Sequence, residues 1–106
     1  MQFCKLEIFI PQTHLSQLQE ALRATDAGHI GHYDSCLSYY KVTGIWRPSA
    51  EAKPYLGKTG EISSESELKV EVRIKIANIE KTLKAIKNIH PYEEPVINII
   101  PLLNEA

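Results

Sequence analysis

A chain of 106 residues, 43% of them hydrophobic and 24% charged, suits one globular domain with one core. Its formal net charge of −1 offers no basic surface for DNA or RNA, and no apolar run approaches the roughly 20 residues of a membrane span. The amino terminus lacks a signal-peptide pattern, and two cysteines are too few for a disulfide framework. We therefore expect a single domain over residues 1–106, located in the cytoplasm, with both thiols free.

The chain begins with a predicted strand and a predicted helix. Residues 2–10 alternate between two sides, which predicts a strand with one face in the core. Residues 13–25 repeat leucines at helical spacing, and Thr13 is a residue type that caps the start of a helix. Gly28 follows shortly after the last leucine of that stripe and fits the end of the helix.

A second strand is predicted over residues 36–47, which are rich in tyrosine and β-branched residues. Apolar or aromatic groups fall on both of its faces, which is typical of a strand that is covered from both sides. Gly44 indicates a bulge or a close backbone approach. Residues 48–66 follow no pattern and end in a predicted solvated turn at residues 63–66; so long an irregular stretch is usually functional or mobile.

The second half of the chain predicts a strand, a helix and a last strand. Residues 67–77 alternate most clearly, Asn78 caps a helix that continues to Ile89, and residues 96–102 form the final strand. The apolar side of the third strand carries Leu68, Val70, Val72, Ile74 and Ile76. The order β-α-β-β-α-β predicts an α+β, ferredoxin-like sandwich, in which two helices cover one face of a four-stranded antiparallel sheet. The first and third strands are central in that arrangement.

The segment between the second helix and the last strand concentrates polar side chains. Residues 90–95 hold two prolines, an imidazole, a phenol and two carboxylates. Each proline fixes its own φ and keeps the preceding residue extended, so the loop is stiff. It is either a binding loop on a rigid scaffold or only the end of a helix and the start of a strand.

Four motifs span nearly the whole chain: Gly28-x-Ile30-Gly31-x-Tyr33-x-x-Cys36, Thr43-Gly44-x-Trp46-Arg47-Pro48, Pro54-Tyr55-x-Gly57 and His90-Pro91-Tyr92-Glu93-Glu94-Pro95. In this order and spacing they resemble the domain inserted in the middle of bacterial Nif-three-like proteins, which is similar in fold to PII and CutA proteins. The resemblance implies a PII/CutA-like fold and a homo-oligomer, with a trimer favoured. The metal ligands of full-length Nif-three-like proteins lie in the two segments that flank the insert, so the resemblance implies no hydrolase activity.

Two loops form the predicted binding site. We expect residues 28–36, the first loop, and residues 90–95, the second loop, to lie at the same end of the sheet, because each precedes an edge strand. Their backbones are restricted by glycine or proline, so their polar groups are held in place before a ligand binds. The predicted ligand-binding residues are Gly28, Gly31, His32, Tyr33, Cys36, His90, Tyr92, Glu93 and Glu94.

The same loops contain the candidate metal ligands, which are His29, His32, Cys36 and His90. Their spacing is only loosely ligand-like, so a bound divalent metal ion is an alternative to structural roles for these residues. In the structural alternative Cys36 is a small buried residue and His90 ends its helix.

Catalytic roles have less support in the sequence. Glu93 and Glu94 are adjacent in an extended stretch, so their side chains point to opposite faces. Cys36 as a nucleophile would need His90 as its base, which leaves a cysteine-dependent enzyme as a third class. The sequence therefore predicts a non-catalytic, self-associating domain that binds a small ligand or a partner protein in a regulatory role. The alternative is a divalent-metal-binding or metal-tolerance protein.

Overall fold

A computed structural model of the chain describes residues 2–103. Its strands and helices, in chain order, are β1 Phe3–Ile10, α1 Leu15–Ala24, β2 Ser38–Trp46, β3 Ser63–Lys75, α2 Ile79–Ile89 and β4 Ile97–Pro101. The strands form one antiparallel sheet in the order β2-β3-β1-β4. This confirms the ferredoxin-like prediction, including the central positions of the first and third strands. Within residues 2–103, no helix has both the length and the apolar character needed to cross a membrane.

The core lies between the two helices and one face of the sheet. On β1 every second side chain is buried, and the same alternation continues on β3 from Leu68 to Ile74. The register places Leu6 opposite Val72 and Ile8 opposite Val70, so the two central strands present one continuous apolar face. The helices complete this core with Leu18, Leu22 and Ile86. Burial of these side chains is the main force that holds the sheet and the helices together.

The third strand begins earlier and ends earlier than its sequence predicts. Residues 63–66 form no turn, because they pair with residues 43–46 of β2. At the other end Ile76 leaves the strand for a single 3-10 turn, Ile76–Asn78, and its side chain is 37% exposed. Partner pairing therefore overrides the polar composition of residues 63–66, and Ile76 does not join the core.

The pairing of β2 with β3 extends beyond the rest of the sheet. β1 ends at the pair Ile10–Leu68, whereas the β2–β3 ladder continues to Trp46 and Ser63. Residues 42–46 and 63–67 thus form a two-stranded projection, which we call the hairpin arm. Residues 47–62, the irregular segment, connect its two strands.

One local prediction is wrong, and two others hold in part. Thr13 is not the cap of α1, because it lies inside a 3-10 turn, Gln12–His14, and its hydroxyl is hydrogen-bonded to the imidazole of His14 (2.9 Å). Of the two alternatives predicted at Gly44, the bulge is wrong, since the β2–β3 register is continuous through it, whereas a close approach to its backbone is present, made by the carboxylate of Glu67. Asn78 does occupy the N-cap position of α2, although its side chain makes no capping hydrogen bond.

Candidate functional site

The two loops that were predicted to meet lie at opposite ends of the sheet. The N–H of Gly28 donates to the carbonyl of Arg73 (2.9 Å), which pairs with Lys5 on β1. The imidazole of His90 is bonded to the carbonyl of Phe9 (2.7 Å), four residues further along β1. About 13 Å of strand therefore separates the two attachment points. The prediction of a common end was wrong, because α1 and α2 follow antiparallel strands and so finish at opposite ends.

The predicted metal ligands are consequently not brought together within one chain. His29 and Cys36 belong to the first loop, and His90 belongs to the second. The imidazole of His29 is bonded instead to the carboxylate of Asp26 (2.9 Å) and to the carbonyl of Gly31 (3.1 Å). Nowhere in residues 2–103 do three or more His, Cys, Asp or Glu side chains form a group that could hold a metal ion.

The first loop is a surface turn held by its own backbone. Gly28 has a φ of +76°, and its carbonyl accepts the N–H of Cys36 (2.9 Å). A Cβ at Gly28 would lie 2.3 Å from the carbonyl oxygen of Cys36, so only glycine fits there. Gly31 also has a positive φ, while His32 is exposed and Tyr33 is 74% exposed. Of the predicted ligand residues of this loop, Gly31, His32 and Tyr33 are therefore exposed, whereas Cys36 is half-buried and Gly28 is buried.

The second loop is fixed to the sheet through His90, which is buried. Its Nε2 donates to the carbonyl of Phe9, because a carbonyl only accepts, and its Nδ1 then accepts the N–H of Tyr92 (3.2 Å). Burial lowers the pKa of His90, against the opposing effect of the bond to Phe9. The imidazole is therefore neutral at physiological pH, and both of its nitrogens are used to hold the loop.

The second loop, the irregular segment and the hairpin arm enclose a cleft of about 420 Å³. Its walls are mainly apolar and aromatic, and they include Phe9, Trp46, Pro54, Tyr55, Tyr92 and Val96. A volume of this size lies within the range of small-molecule sites. Three of the four sequence motifs supply residues to this cleft, and the motif of the first loop supplies none.

Tyr92 is the centre of the aromatic wall. Its ring centroid lies 6.3 Å from that of Trp46, 6.1 Å from that of Tyr55 and 4.9 Å from that of His90. The indole N–H of Trp46 donates to the carbonyl of Leu56 (3.3 Å), which ties the irregular segment to the arm. These contacts build the cleft before any ligand is present.

A buried carboxylate lies at the cleft. Glu67 is only 8% exposed, and its Oε2 accepts the hydroxyl proton of Tyr92 (2.8 Å). A Cβ at Gly44 would lie 2.6 Å from Oε1 of Glu67, so the glycine leaves space for the carboxylate. Burial, together with the hydrogen bond to Glu67, raises the pKa of the Tyr92 phenol. The phenol therefore stays protonated at neutral pH and acts as a hydrogen-bond donor.

Some of the predicted binding residues lie at this cleft, and the cleft also contains residues that were not predicted. The structure places Tyr92, Glu93 and Glu94 at the cleft, and the main-chain N–H of Lys53 donates to Glu93 (3.0 Å). Glu67 was missed because it alternates with core residues and so has the pattern of an outward-facing charge. The feature of the sequence that pointed to the cleft was the length of the irregular stretch, because so long a stretch is usually functional or mobile.

Comparison with known proteins gives relatives of much greater length. No protein-family model matches the chain. The chain is 41% identical over 102 residues to the GTP cyclohydrolase 1 type 2 homolog of Halalkalibacterium halodurans, a match that covers 96% of this chain and 27% of that protein. It is 32% identical to the protein of the same name from Staphylococcus epidermidis, with 98% and 28% covered. The chain thus spans about a quarter of the length of these relatives.

Solved structures show the same relation. A Bacillus cereus protein related to NIF3 superposes with a TM-score of 0.83 and 31% identity, over 97% of this chain and 26% of that one. The periplasmic divalent cation tolerance protein CutA of Archaeoglobus fulgidus gives a TM-score of 0.72 at 15% identity, over 98% and 87% of the two chains. The second likeness establishes the CutA-like fold and nothing more.

Proposed function

From the homology of this chain to a segment of NIF3-related proteins, we propose that it is a non-catalytic, PII/CutA-like binding domain. It holds a small ligand in the cleft between the hairpin arm, the irregular segment and the second loop. We further propose that it works in the cytoplasm, self-associates, and has a regulatory role. The GTP cyclohydrolase in the relatives' name describes proteins about four times as long, and that activity is not part of the proposal.

The observation that carries this proposal is a nearly buried carboxylate in a preformed aromatic cleft. Ligand sites combine apolar walls with a few polar groups that fix orientation, and the cleft has that composition. Its walls are connected by hydrogen bonds from Trp46, Tyr92 and Lys53, so little ordering is needed when a ligand binds.

The geometry also favours binding over catalysis. A cysteine-dependent reaction would pair Cys36 with His90, but these residues lie at opposite ends of the sheet. The imidazole of His90 is held between Phe9 and Tyr92, so it is not free to accept a substrate proton. The phenol of Tyr92 has a raised pKa, which makes it a poor base and nucleophile at neutral pH.

A chemical-shift titration tests the proposal. ¹⁵N-labelled protein is titrated with benzamidine, benzyl alcohol, benzoate, adenosine and Zn²⁺. We expect at least one of the organic probes to shift the amides of residues 44–46, 54–56 and 92–94. The proposal fails if none of the organic probes shifts these amides, or if the only responses come from residues 28–36.

A matched pair of tyrosine variants adds an energetic test. Tyr55 and Tyr39 are 47% and 50% exposed, but only Tyr55 lines the cleft. Loss of one aromatic contact costs roughly 1 kcal/mol, so Tyr55→Ala should weaken a bound ring compound about fivefold. Tyr39→Ala should leave the same affinity unchanged, and an equal loss in both variants would contradict the cleft as the site.

A further inference from the structure

We propose that the cleft selects planar rings that carry a positive charge, such as an aryl amidinium or a protonated aromatic amine, and that Glu67 binds the charge. This inference rests on the proposed function, since it names the chemical class that the same cleft takes. Three features of the cleft support it: the carboxylate, the charge of the lining and the faces of the aromatic rings.

The first step is the unused oxygen of Glu67. Tyr92 donates to Oε2, whereas Oε1 has no hydrogen-bond partner among residues 2–103. Glu67 is only 8% exposed, and it is part of the cleft lining. Oε1 is not among the fully enclosed atoms that lack a partner, so it can be reached from solvent, and a ligand with an N–H donor or a cationic group there would form a charge-assisted bond.

The second step is the charge of the residues that line the cleft. The described residues that line it include three carboxylates, Glu67, Glu93 and Glu94, and no Lys, Arg or His. Glu65, on the arm, is near enough to contribute to the raised pKa of Tyr92. Low-dielectric walls concentrate this negative potential inside the cleft. Cations are therefore attracted, while carboxylates and phosphates are repelled.

The third step is the aromatic wall. The rings of Trp46 and Tyr55 have their centroids 6.3 Å and 6.1 Å from that of Tyr92, and all three residues line the cleft. The faces of aromatic rings carry partial negative charge, so they attract a cation and also stack on a flat ring. A planar cation can both stack on the aromatic rings and pair with the carboxylate of Glu67. A neutral ring lacks the charge, and a small metal ion lacks the flat surface.

The experiment uses Trp46, the single tryptophan of the chain, as a fluorescent reporter that lines the cleft. The intact protein is titrated at low salt with benzamidine, benzyl alcohol and benzoate, three small probes of positive, zero and negative charge. We expect benzamidine to bind about tenfold more tightly than benzyl alcohol, the size of effect typical of one hydrogen bond to a charged group. Benzoate should bind more weakly than either.

Two conservative variants locate the effect. Glu67→Gln keeps an acceptor for Tyr92 but loses the charge. It should therefore weaken the binding of benzamidine about tenfold and leave the binding of benzyl alcohol unchanged. Glu80→Gln, which removes the same charge at an exposed position in the first turn of α2 and outside the lining, should change the affinity for neither probe by more than about twofold. Circular dichroism of each variant checks the fold, and if Glu67→Gln does not fold, the preference of the unmodified protein still decides.

The results separate this inference from the proposed function. If benzyl alcohol binds as tightly as benzamidine, or if folded Glu67→Gln keeps full affinity for benzamidine, the cation preference is wrong while the cleft remains a binding site. If none of the three probes changes the fluorescence of Trp46 and no organic probe, adenosine included, shifts the amides of the cleft, both proposals fail. Binding of adenosine alone would remove only the cation preference.

Discussion

Glu67 differs from its neighbours on β3 in the way it becomes buried. Lys69 and Glu71 lie on the same side of the strand and form ion pairs that remain partly exposed. Glu67 lies one position beyond the end of β1, where Tyr92 of the second loop reaches over it. Its burial therefore depends on a contact between residues 25 positions apart, and no local pattern in the sequence could reveal it.

His90 makes the stability of the domain dependent on pH. In the unfolded chain its imidazole takes up a proton as the pH falls through about 6.5. In the folded chain burial lowers the pKa of His90, so the folded form resists that proton. The stability present above pH 6.5 is therefore lost as the pH falls towards the lower folded pKa. Urea unfolding at pH 7.5 and 5.5 should show a lower midpoint at pH 5.5.

Two histidine variants, one at a buried and one at an exposed position, test whether His90 causes this pH dependence. His90→Gln can still donate to Phe9 but has no proton to gain, so its urea midpoint should change less between the two pH values. His32→Gln, at an exposed position, should keep the dependence of the unmodified protein. This pH range lies above that of the carboxylates such as Glu7, whose pKa is lowered and which would matter only in stronger acid. An unchanged pH dependence in His90→Gln would contradict the assignment.

At the scale of the elements, the apolar sequence pattern predicted those strands and helices that bury one face in the core. β1, α2 and the core part of β3 were predicted correctly because their apolar side chains repeat at the period of the structure. The arm was missed at residues 63–66 because both of its faces are largely exposed and no period marks them. The relative position of the two loops depends on strand direction, which a one-dimensional pattern does not carry.

Val72 tests the register of the central strands. Its side chain is 2% exposed and lies opposite Leu6 on the core face. Val72→Asp would bury an unpaired charge at a cost of about 3–5 kcal/mol, a large share of the stability of a small domain. We expect this variant to be unfolded or strongly destabilised in thermal melts. Lys75→Asp, at the exposed end of the same strand, should stay within about 0.5 kcal/mol of the unmodified protein, and wild-type stability of Val72→Asp would refute the register.

At the scale of the whole molecule, the arm makes the described chain elongated, at 46 × 24 × 22 Å. β2 is an edge strand along its full length, and the region around it exposes Tyr39, Tyr40, Ile45 and Ile62 by 50% to 74%. Unpaired strand edges with apolar side chains are ready to pair with another chain, and closed association removes that hazard. The exposed arm thus supports the proposal that the domain self-associates, and three subunits is the number that the sequence resemblance implies.

Light scattering coupled to size exclusion measures that assembly directly. At micromolar concentration we expect a mass near three times the 12.0 kDa of one chain. Ile45→Glu places a charge on an arm residue that is 70% exposed, so it should shift the mass towards one subunit without a loss of secondary structure. Ile76→Glu, which is 37% exposed on the 3-10 turn before α2 and lies off the arm, should leave the mass unchanged. A single-subunit mass for the unmodified chain would overturn self-association, and equal dissociation by both variants would remove the arm as the interface.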